Sequence, residues 1–221
     1  MQKDYHPELI TFEDVARHYL QEPASEEEAD LGWFGLQSLT ISEVIERACA
    51  SIRKNGLLHS HQRRPFQRWP TAPRGAADLL KRQARQIAES GTFDDDLYPI
   101  IHATIASPRC KGVGPLACYD IARRIGAWLR PKLEPTEVYL HRGTRDGAKA
   151  VLCPLADRRR ASMSDFPEGL RRLLTAAQLE DALCIYRGTL TRIAHTSEVR
   201  PIARGVARCA VARRALRRRR C

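Results

Sequence analysis

Apolar residues recur at steps of three and four along most of the chain, which is the spacing that places them on one face of an α-helix. Thr11, with Asp14 three residues later, forms a capping box typical of a helix N-terminus. The apolar positions that follow are Phe12, Val15, Ala16, Tyr19 and Leu20. The pattern therefore predicts a short helix that begins after Thr11.

A second helix is predicted after Thr40, where Glu43 completes another capping box. Its stop is predicted at Asn55-Gly56, because glycine readily adopts the backbone conformation that ends a helix. The acidic stretch before it, residues 21 to 30, is interpreted as a loop. The apolar face of the predicted helix is Ile41, Val44, Ile45, Ala48, Cys49 and Ile52.

A polar segment then separates this helix from two further apolar runs. Residues 57 to 74 contain three prolines and few apolar positions, which predicts a loop. Helical periodicity returns at Ala76 and continues to Gly91. The next helix is expected to be capped by Thr92 or Asp94, and its apolar face is Leu97, Ile100, Ile101 and Ile105.

The most specific local pattern lies at residues 109 to 129, RCKGVGPLACYDIARRIGAWL. One helix is expected to end at Ser107-Pro108, and Pro115 suits the first position of the next. The second helix has a continuous apolar face formed by Ala117, Ile121, Ile125 and Leu129. The pattern predicts two helices joined by a short turn that contains Gly112 and Gly114.

Such a turn is suited to bind a phosphate. Glycine lets the backbone approach a ligand closely, and the first amides of the following helix point outward at the positive end of its dipole. Arg109 and Lys111 supply positive charge beside the turn.

These residues resemble the helix-hairpin-helix DNA-binding motif, over about residues 95–129. The hairpin glycines of that family flank an apolar residue, as Gly112, Val113 and Gly114 do, and Cys118 stands where the family usually has alanine. The resemblance implies contacts between hairpin amides and DNA phosphates that are independent of base sequence, often with a monovalent cation at the hairpin carbonyls. The expected nucleic-acid-binding residues are Arg109, Lys111, Gly112, Val113 and Gly114, with Arg63 and Arg64 from the basic loop.

Downstream, VYLHRGTRDGAKAV resembles a segment of the helix-hairpin-helix DNA glycosylases that supplies a catalytic aspartate. Val138 and His141 fit the family spacing, but Tyr139 occupies the aspartate position. Leu116 stands where the lysine variant of the family has its nucleophile. Glycosylase chemistry is therefore an alternative for which no catalytic residue is assigned. The central block is also similar to a group of uncharacterised bacterial proteins, a resemblance that implies no activity.

Charge is segregated along the 221 residues, whose net charge is +11. Residues 1–50 carry 3 basic and 11 acidic side chains, residues 51–85 carry 9 basic and one acidic, and residues 192–221 carry 10 arginines and one acid. Clustered cations gain affinity for phosphates by releasing condensed counterions, so the basic stretches are candidates for a polyanion partner. The opposing interpretation is that these runs are solvated surface.

Cysteine usage and hydropathy bear on the location of the protein. The seven cysteines are widely scattered, which suits reduced thiols better than a disulfide framework. No stretch approaches the roughly 18 to 20 apolar residues of a membrane helix, and the N-terminus lacks the pattern of a signal peptide. We therefore expect a soluble, cytoplasmic protein with no membrane partner. His59 and His61 could share a face toward a metal, but no partner stands at a diagnostic spacing, so no metal site is assigned.

The C-terminal part divides into a helical segment and a basic tail. Thr175 and Gln178 form a capping box, and Ile185 and Tyr186 are expected to close the core. Residues 191–221 are rich in arginine with small apolar residues, which predicts a flexible tail.

The sequence thus predicts a mostly α fold, with a compact helical domain over residues 8–190 that contains the hairpin. The expected function is binding of DNA, mainly the duplex backbone, with no organic cofactor. Two alternatives remain: a nucleic-acid-processing enzyme such as a glycosylase-like protein, and a protein-interaction module in which residues 1–50 screen or mimic nucleic acid.

Overall fold

The computed structural model describes residues 6–21, 23–36, 38–53, 56–57, 66–106, 110–152 and 158–196. Most of these residues are helical, and the described strands form one two-stranded sheet. The prediction of a mostly α-helical chain is confirmed. Within the described ranges, no helix combines the length and the apolar character needed to cross a lipid bilayer.

In chain order the α-helices are α1 (Phe12–Gln21), α2 (Pro23–Phe34), α3 (Ile41–Ala50), α4 (Ala72–Lys81), α5 (Ala84–Ala88), α6 (Tyr98–Ile105), α7 (Pro115–Trp128), α8 (Arg142–Leu152), α9 (Glu168–Arg171), α10 (Ala176–Ile185) and α11 (Arg187–Thr196). A π-helical turn, Phe93–Leu97, leads into α6, and a 3₁₀ turn, Met163–Asp165, precedes α9. Strands β1 (Glu137–Tyr139) and β2 (Arg160–Ser162) pair antiparallel, with Val138 opposite Ala161.

The chain forms two compact units, where the sequence leads us to expect one helical domain over residues 8–190. Unit 1 comprises residues 1–20 and 137–221, and unit 2 comprises residues 21–136. Unit 1 is discontinuous because α1 packs with the C-terminal third, where the Tyr19 hydroxyl donates to the Asp181 carboxylate at 3.1 Å. Local periodicity identifies the helices but carries no information on which of them share a core.

Capping boxes begin three helices where the sequence predicts them. At α1, the Asp14 amide donates to Thr11 Oγ1 at 3.0 Å, and the Thr11 amide donates to the Asp14 carboxylate at 2.8 Å. Each box supplies acceptors for amides that a helix N-terminus leaves unpaired. The same reciprocal bonds form at α3 and α10, in the pairs Thr40/Glu43 and Thr175/Gln178.

Helix α7 is packed against α2, α3 and α6 in unit 2. Its predicted apolar face is buried as expected: Ala117, Ile121, Ile125 and Leu129. Gly126 lies against backbone, since an added Cβ would stand 2.5 Å from the Leu133 carbonyl oxygen. The Trp128 indole N–H donates to the Leu39 carbonyl at 3.0 Å. Burial on several sides makes α7 the central helix of this unit.

The acidic stretch interpreted as a loop, residues 21–30, belongs mostly to helix α2, so that prediction is wrong. Pro23 stands in the first turn, where its missing N–H removes no helical hydrogen bond. Ala24 and Phe34 are buried, and Arg53 forms an ion pair with Asp30. Its acidic residues hide a helix whose buried positions and ion pair depend on contacts with other elements.

Helix α3 ends at Ala50, earlier than the predicted stop at Asn55-Gly56. Ser51 adopts a left-handed conformation with φ 54°, and its amide donates to the Ala48 carbonyl at 3.2 Å. Ile52 is consequently 40% exposed instead of lying on the buried face.

The predicted loop at residues 57–74 is shorter than expected. Helix α4 begins at Ala72 with Pro73 in its first turn, and residues 66–68 form a helical turn with Phe66 buried. Residues 58–65 lie outside the described residues. A buried aromatic side chain therefore anchors the end of a segment whose proline content predicts only irregular structure.

The cap expected before α6 is also different. The Asp96 carboxylate accepts from the amides of Gly91 and Thr92, at 3.1 and 2.9 Å, whereas Thr92 makes no side-chain cap. Asp94 is buried and accepts from the Thr136 amide at 2.7 Å. Several acidic side chains at this position made the choice of cap ambiguous from sequence.

Unit 1 packs α8 against α10 and α11. Gly147 lets α8 approach α10 closely, since an added Cβ would stand 2.0 Å from the Leu183 carbonyl oxygen. Of the two residues expected to close the core, Tyr186 is buried and Ile185 is 37% exposed. Ile185 lies at the last position of α10, where the helix no longer faces the core.

The predicted start of the Arg-rich tail, residue 191, lies within α11, which continues to Thr196. Ile193 is fully buried, and the Arg192 guanidinium donates to the His6 carbonyl at 3.1 Å and to the Leu9 carbonyl. Residues 197–221 lie outside the described residues.

Glycine replacement in two helices tests the central position of α7. We expect Gly126→Ala to destabilise the protein by about 1–3 kcal/mol, because the new methyl group would meet the Leu133 backbone. Gly32→Ala in α2 is the control, since open space surrounds an added Cβ there and alanine is the better helix former by about 1 kcal/mol. Urea unfolding followed by circular dichroism compares them. Equal stability of the two variants would contradict the packing.

Two truncations test the end of unit 1. A chain ending at Thr196 keeps every described contact of α11, and we expect its melting temperature to match that of the full chain. A chain ending at Thr191 loses buried Ile193, and removal of such a side chain costs about 2–5 kcal/mol. Thermal melting by circular dichroism is the measurement. Identical melting of the two truncated chains would show that Ile193 does not contribute to the core.

Candidate nucleic-acid interface

Helices α6 and α7 pack against each other, and the glycine turn precedes α7 directly. The Val113 amide donates to the Cys110 carbonyl at 2.9 Å, which closes a tight turn. Gly112 has a φ of 103°, a conformation that residues with a side chain rarely adopt. The local geometry accounts for a glycine at position 112.

A tryptophan adds a second reason for this glycine. A Cβ on Gly112 would stand 2.5 Å from Trp69 Cε3, so the indole lies directly against the turn. The Arg68 guanidinium lies over the same ring, 4.7 Å from its centroid. Gly112 therefore has a packing role. Sequence reasoning missed Trp69, although an aromatic residue within a basic, proline-rich stretch was a visible signal.

Gly114 has a different environment. Its φ and ψ are −87° and 178°, which other residues also adopt, and nothing lies within 4 Å of an added Cβ. The residue is exposed and occupies the N-cap position of α7. A side chain would fit at this position, so packing does not explain the glycine. Its consequence is that the backbone is open to solvent.

The N-terminus of α7 is suited to bind an anion. Gly114 provides no side-chain cap, and Pro115 has no amide hydrogen. The amides of Leu116 and Ala117 fall in the first turn, where a helix offers no backbone acceptor. The first hydrogen bond of the helix runs from the Cys118 amide to the Gly114 carbonyl at 3.0 Å. With the positive end of the helix dipole, these amides can receive a phosphate oxygen.

Four of the seven predicted binding residues lie together in this turn: Lys111, Gly112, Val113 and Gly114. The Lys111 side chain is exposed, and so is Arg68, whose guanidinium lies over the Trp69 ring. Arg63, Arg64 and Arg109 lie outside the described residues, as do His59 and His61. An exposed lysine within the turn and an exposed arginine on the ring that packs against Gly112 are consistent with a phosphate site.

Two arginines of α7 have structural roles instead. Arg124 is buried and donates to the Ala48 carbonyl at 3.1 Å and to Ser51 Oγ at 3.0 Å. Arg123 forms an ion pair with Glu27 at 3.1 Å, and its guanidinium side chain is 10% exposed. These contacts hold α2 and α3 against α7. They also show that the acidic residues of α2 neutralise cations of their own unit.

The cysteines beside the hairpin are poor nucleophiles. Cys49, Cys110 and Cys118 are buried free thiols. Burial raises the pKa of all three, that of Cys118 to about 12, so they stay protonated at neutral pH. Their contribution is to apolar packing.

The residues compared with the glycosylase pattern lie in ordinary structural positions. Tyr139 is in β1 and is 2% exposed, and its ring stacks with that of His141 at 6.2 Å. Leu116 is half-buried in the first turn of α7. A separate cluster of metal-ligating side chains, His6, Glu8 and His18, lies in unit 1.

Comparison of the chain with protein-family models, with curated proteins and with solved structures gives no match. The functional argument therefore depends on the geometry of the turn and on the charges around it.

Proposed function

We propose that the chain binds DNA through the backbone, without reading base sequence, and that the turn from Lys111 to Gly114 is the phosphate contact. The main support is the open N-terminus of α7. Gly114 is exposed, has no steric reason to be glycine and leaves the first-turn amides without a side-chain cap. A ligand with negatively charged oxygens satisfies those amides, and a phosphate diester is the ligand that the basic composition favours.

Independence from base sequence follows from the kind of group that the turn offers. Backbone amides and the Lys111 ammonium recognise phosphate oxygens, which are the same at every nucleotide. The resemblance to the helix-hairpin-helix motif adds a monovalent cation at the hairpin carbonyls as a further expectation.

The two alternatives have less support. An interaction module in which acidic residues mimic nucleic acid needs exposed, uncompensated carboxylates, and two of the acidic residues of α2, Glu27 and Asp30, instead form ion pairs with Arg123 and Arg53. A glycosylase-like enzyme needs an accessible carboxylate or amine, and Tyr139 and Leu116 supply neither.

Salt dependence tests the electrostatic part of the proposal. If about 4 to 8 phosphates are contacted, the logarithm of the affinity for duplex DNA should fall with the logarithm of salt concentration, with a slope of roughly −3.5 to −7. Lys111→Gln should reduce that slope by about one, because it removes one phosphate contact. Fluorescence anisotropy with duplexes of unrelated sequence measures both. A flat salt response, or strong dependence on base sequence, would refute the proposal.

Substitution of Gly114 tests the hairpin separately from the basic C-terminal residues, when it is made in the chain that ends at Thr196. Asparagine and aspartate both suit an N-cap position, so Gly114→Asn and Gly114→Asp should fold equally well. Both side chains compete with phosphate for the amides, but only aspartate adds a repelling charge. We expect Gly114→Asp to bind duplex DNA at least about tenfold more weakly than Gly114→Asn, since like charges at about 4 Å repel by a few kcal/mol.

As a control, the same two substitutions, asparagine and aspartate, are made at Gly32. Gly35 lies near the Ala127 carbonyl, so this end of α2 is beside the C-terminal end of α7. A 14-residue helix is about 21 Å long, which is roughly the separation from Gly114. Gly32→Asn and Gly32→Asp should therefore differ by about twofold or less. If both Gly114 variants bind like the parent chain, the hairpin is structural and DNA binding resides elsewhere.

A further inference from the structure

Unit 1 brings two imidazoles and a carboxylate together outside the hairpin. One ligand atom from each of His6, Glu8 and His18 lies within 4.8 Å of the other two. His6 and Glu8 precede α1, and His18 is on that helix. The two imidazole centroids are 4.9 Å apart. Nitrogen and carboxylate oxygen donors in this number are a common ligand set for zinc.

One ring nitrogen of His18 has a hydrogen-bond partner. Its Nδ1 is hydrogen-bonded to the Tyr186 hydroxyl at 2.8 Å. When Nδ1 donates in this bond, the lone pair is on Nε2, which is the tautomer that binds a metal through Nε2. A hydrogen bond from the second ring nitrogen is the usual support of a metal-binding histidine.

The backbone of His6 is held in place from helix α11. Its amide donates to Thr189 Oγ1 at 2.9 Å, and its carbonyl accepts from Arg192 at 3.1 Å. His6 Nδ1 lies 3.0 Å from a Glu8 carboxylate oxygen.

We propose that His6, Glu8 and His18 form a binding site for a divalent transition metal ion of the zinc class. In a tetrahedral zinc site with ligand distances of 2.0–2.1 Å, the ligand atoms are about 3.4 Å apart. The side chains must therefore close by up to about 1.4 Å. The Glu8 and His6 side chains are 58% and 29% exposed, so both can turn toward an ion that enters from solvent. Water completes the coordination.

The bound ion joins the segment before α1 to α1 itself and, through Tyr186 and Thr189, to the ends of α10 and α11. Because the site exists only when these elements are assembled, metal binding stabilises the folded state of unit 1. This role is independent of the hairpin and of DNA binding.

The experiment uses the full chain, stripped of metal with a chelator and kept reduced. Zinc binding is measured by isothermal titration calorimetry, and cobalt(II) is used as a spectroscopic probe. We expect one zinc ion per chain and a cobalt complex without sulfur-to-cobalt charge-transfer absorption, since no cysteine is a ligand. Glu8→Gln should weaken zinc affinity at least about tenfold, and His6→Gln with His18→Gln should abolish the site.

The matched control removes two other histidines, with His59→Gln and His61→Gln in one chain, and should leave zinc affinity unchanged within about twofold. Circular dichroism melting in chelator verifies that each variant folds. Glu8 is exposed, so Glu8→Gln remains informative if the double histidine variant is unstable. Failure to bind zinc, binding that is unaffected by Glu8→Gln, loss of binding in the His59/His61 variant, or thiolate charge transfer would each overturn the proposal.

Discussion

The burial of α7 is the constraint on which the rest of unit 2 depends. Nine of its fourteen residues are buried, including a glycine that meets backbone and an arginine whose charge must be satisfied inside the protein. Arg124 obtains acceptors from the Ala48 carbonyl and the Ser51 hydroxyl, both at the C-terminal end of α3. The backbone at Leu133, in the segment that follows α7, packs directly against Gly126. Since the body of α7 is enclosed by its neighbours, its N-terminus is the part whose first-turn amides have neither an acceptor within the helix nor a side-chain cap.

Charge segregation in the sequence has two physical outcomes in the structure. Part of the acidic N-terminal segment becomes α2, whose carboxylates pair with Arg53 and Arg123 and so stabilise contacts within unit 2. Arg53 and Arg123 are therefore less available to bind a phosphate. Lys111 and Arg68, both exposed near the turn, remain available among the described residues. Net charge alone therefore overstates the positive surface available to a nucleic acid.

The two hairpin glycines have different structural environments. At position 112, the left-handed backbone and the indole of Trp69 both require a glycine. At position 114, neither the backbone conformation nor the packing requires one. A small residue that the fold does not demand, placed at an uncapped helix N-terminus, favours a ligand at that point. The cluster of His6, Glu8 and His18 is a separate feature, because it lies in unit 1, where His18 and His6 contact Tyr186 and Thr189.

Local sequence patterns are enough to predict the mostly helical class, the three capping boxes, the apolar face of α7 and the glycine turn before it. Each depends on residues within a few positions of one another, which is why periodicity and capping patterns predict them. The tertiary structure alone decided that residues 21–30 form part of a helix, that Ile193 belongs to a core, that Trp69 covers Gly112 and that His6 lies beside His18. Those outcomes depend on contacts between residues distant in sequence, and the free energy of such contacts is absent from any local pattern.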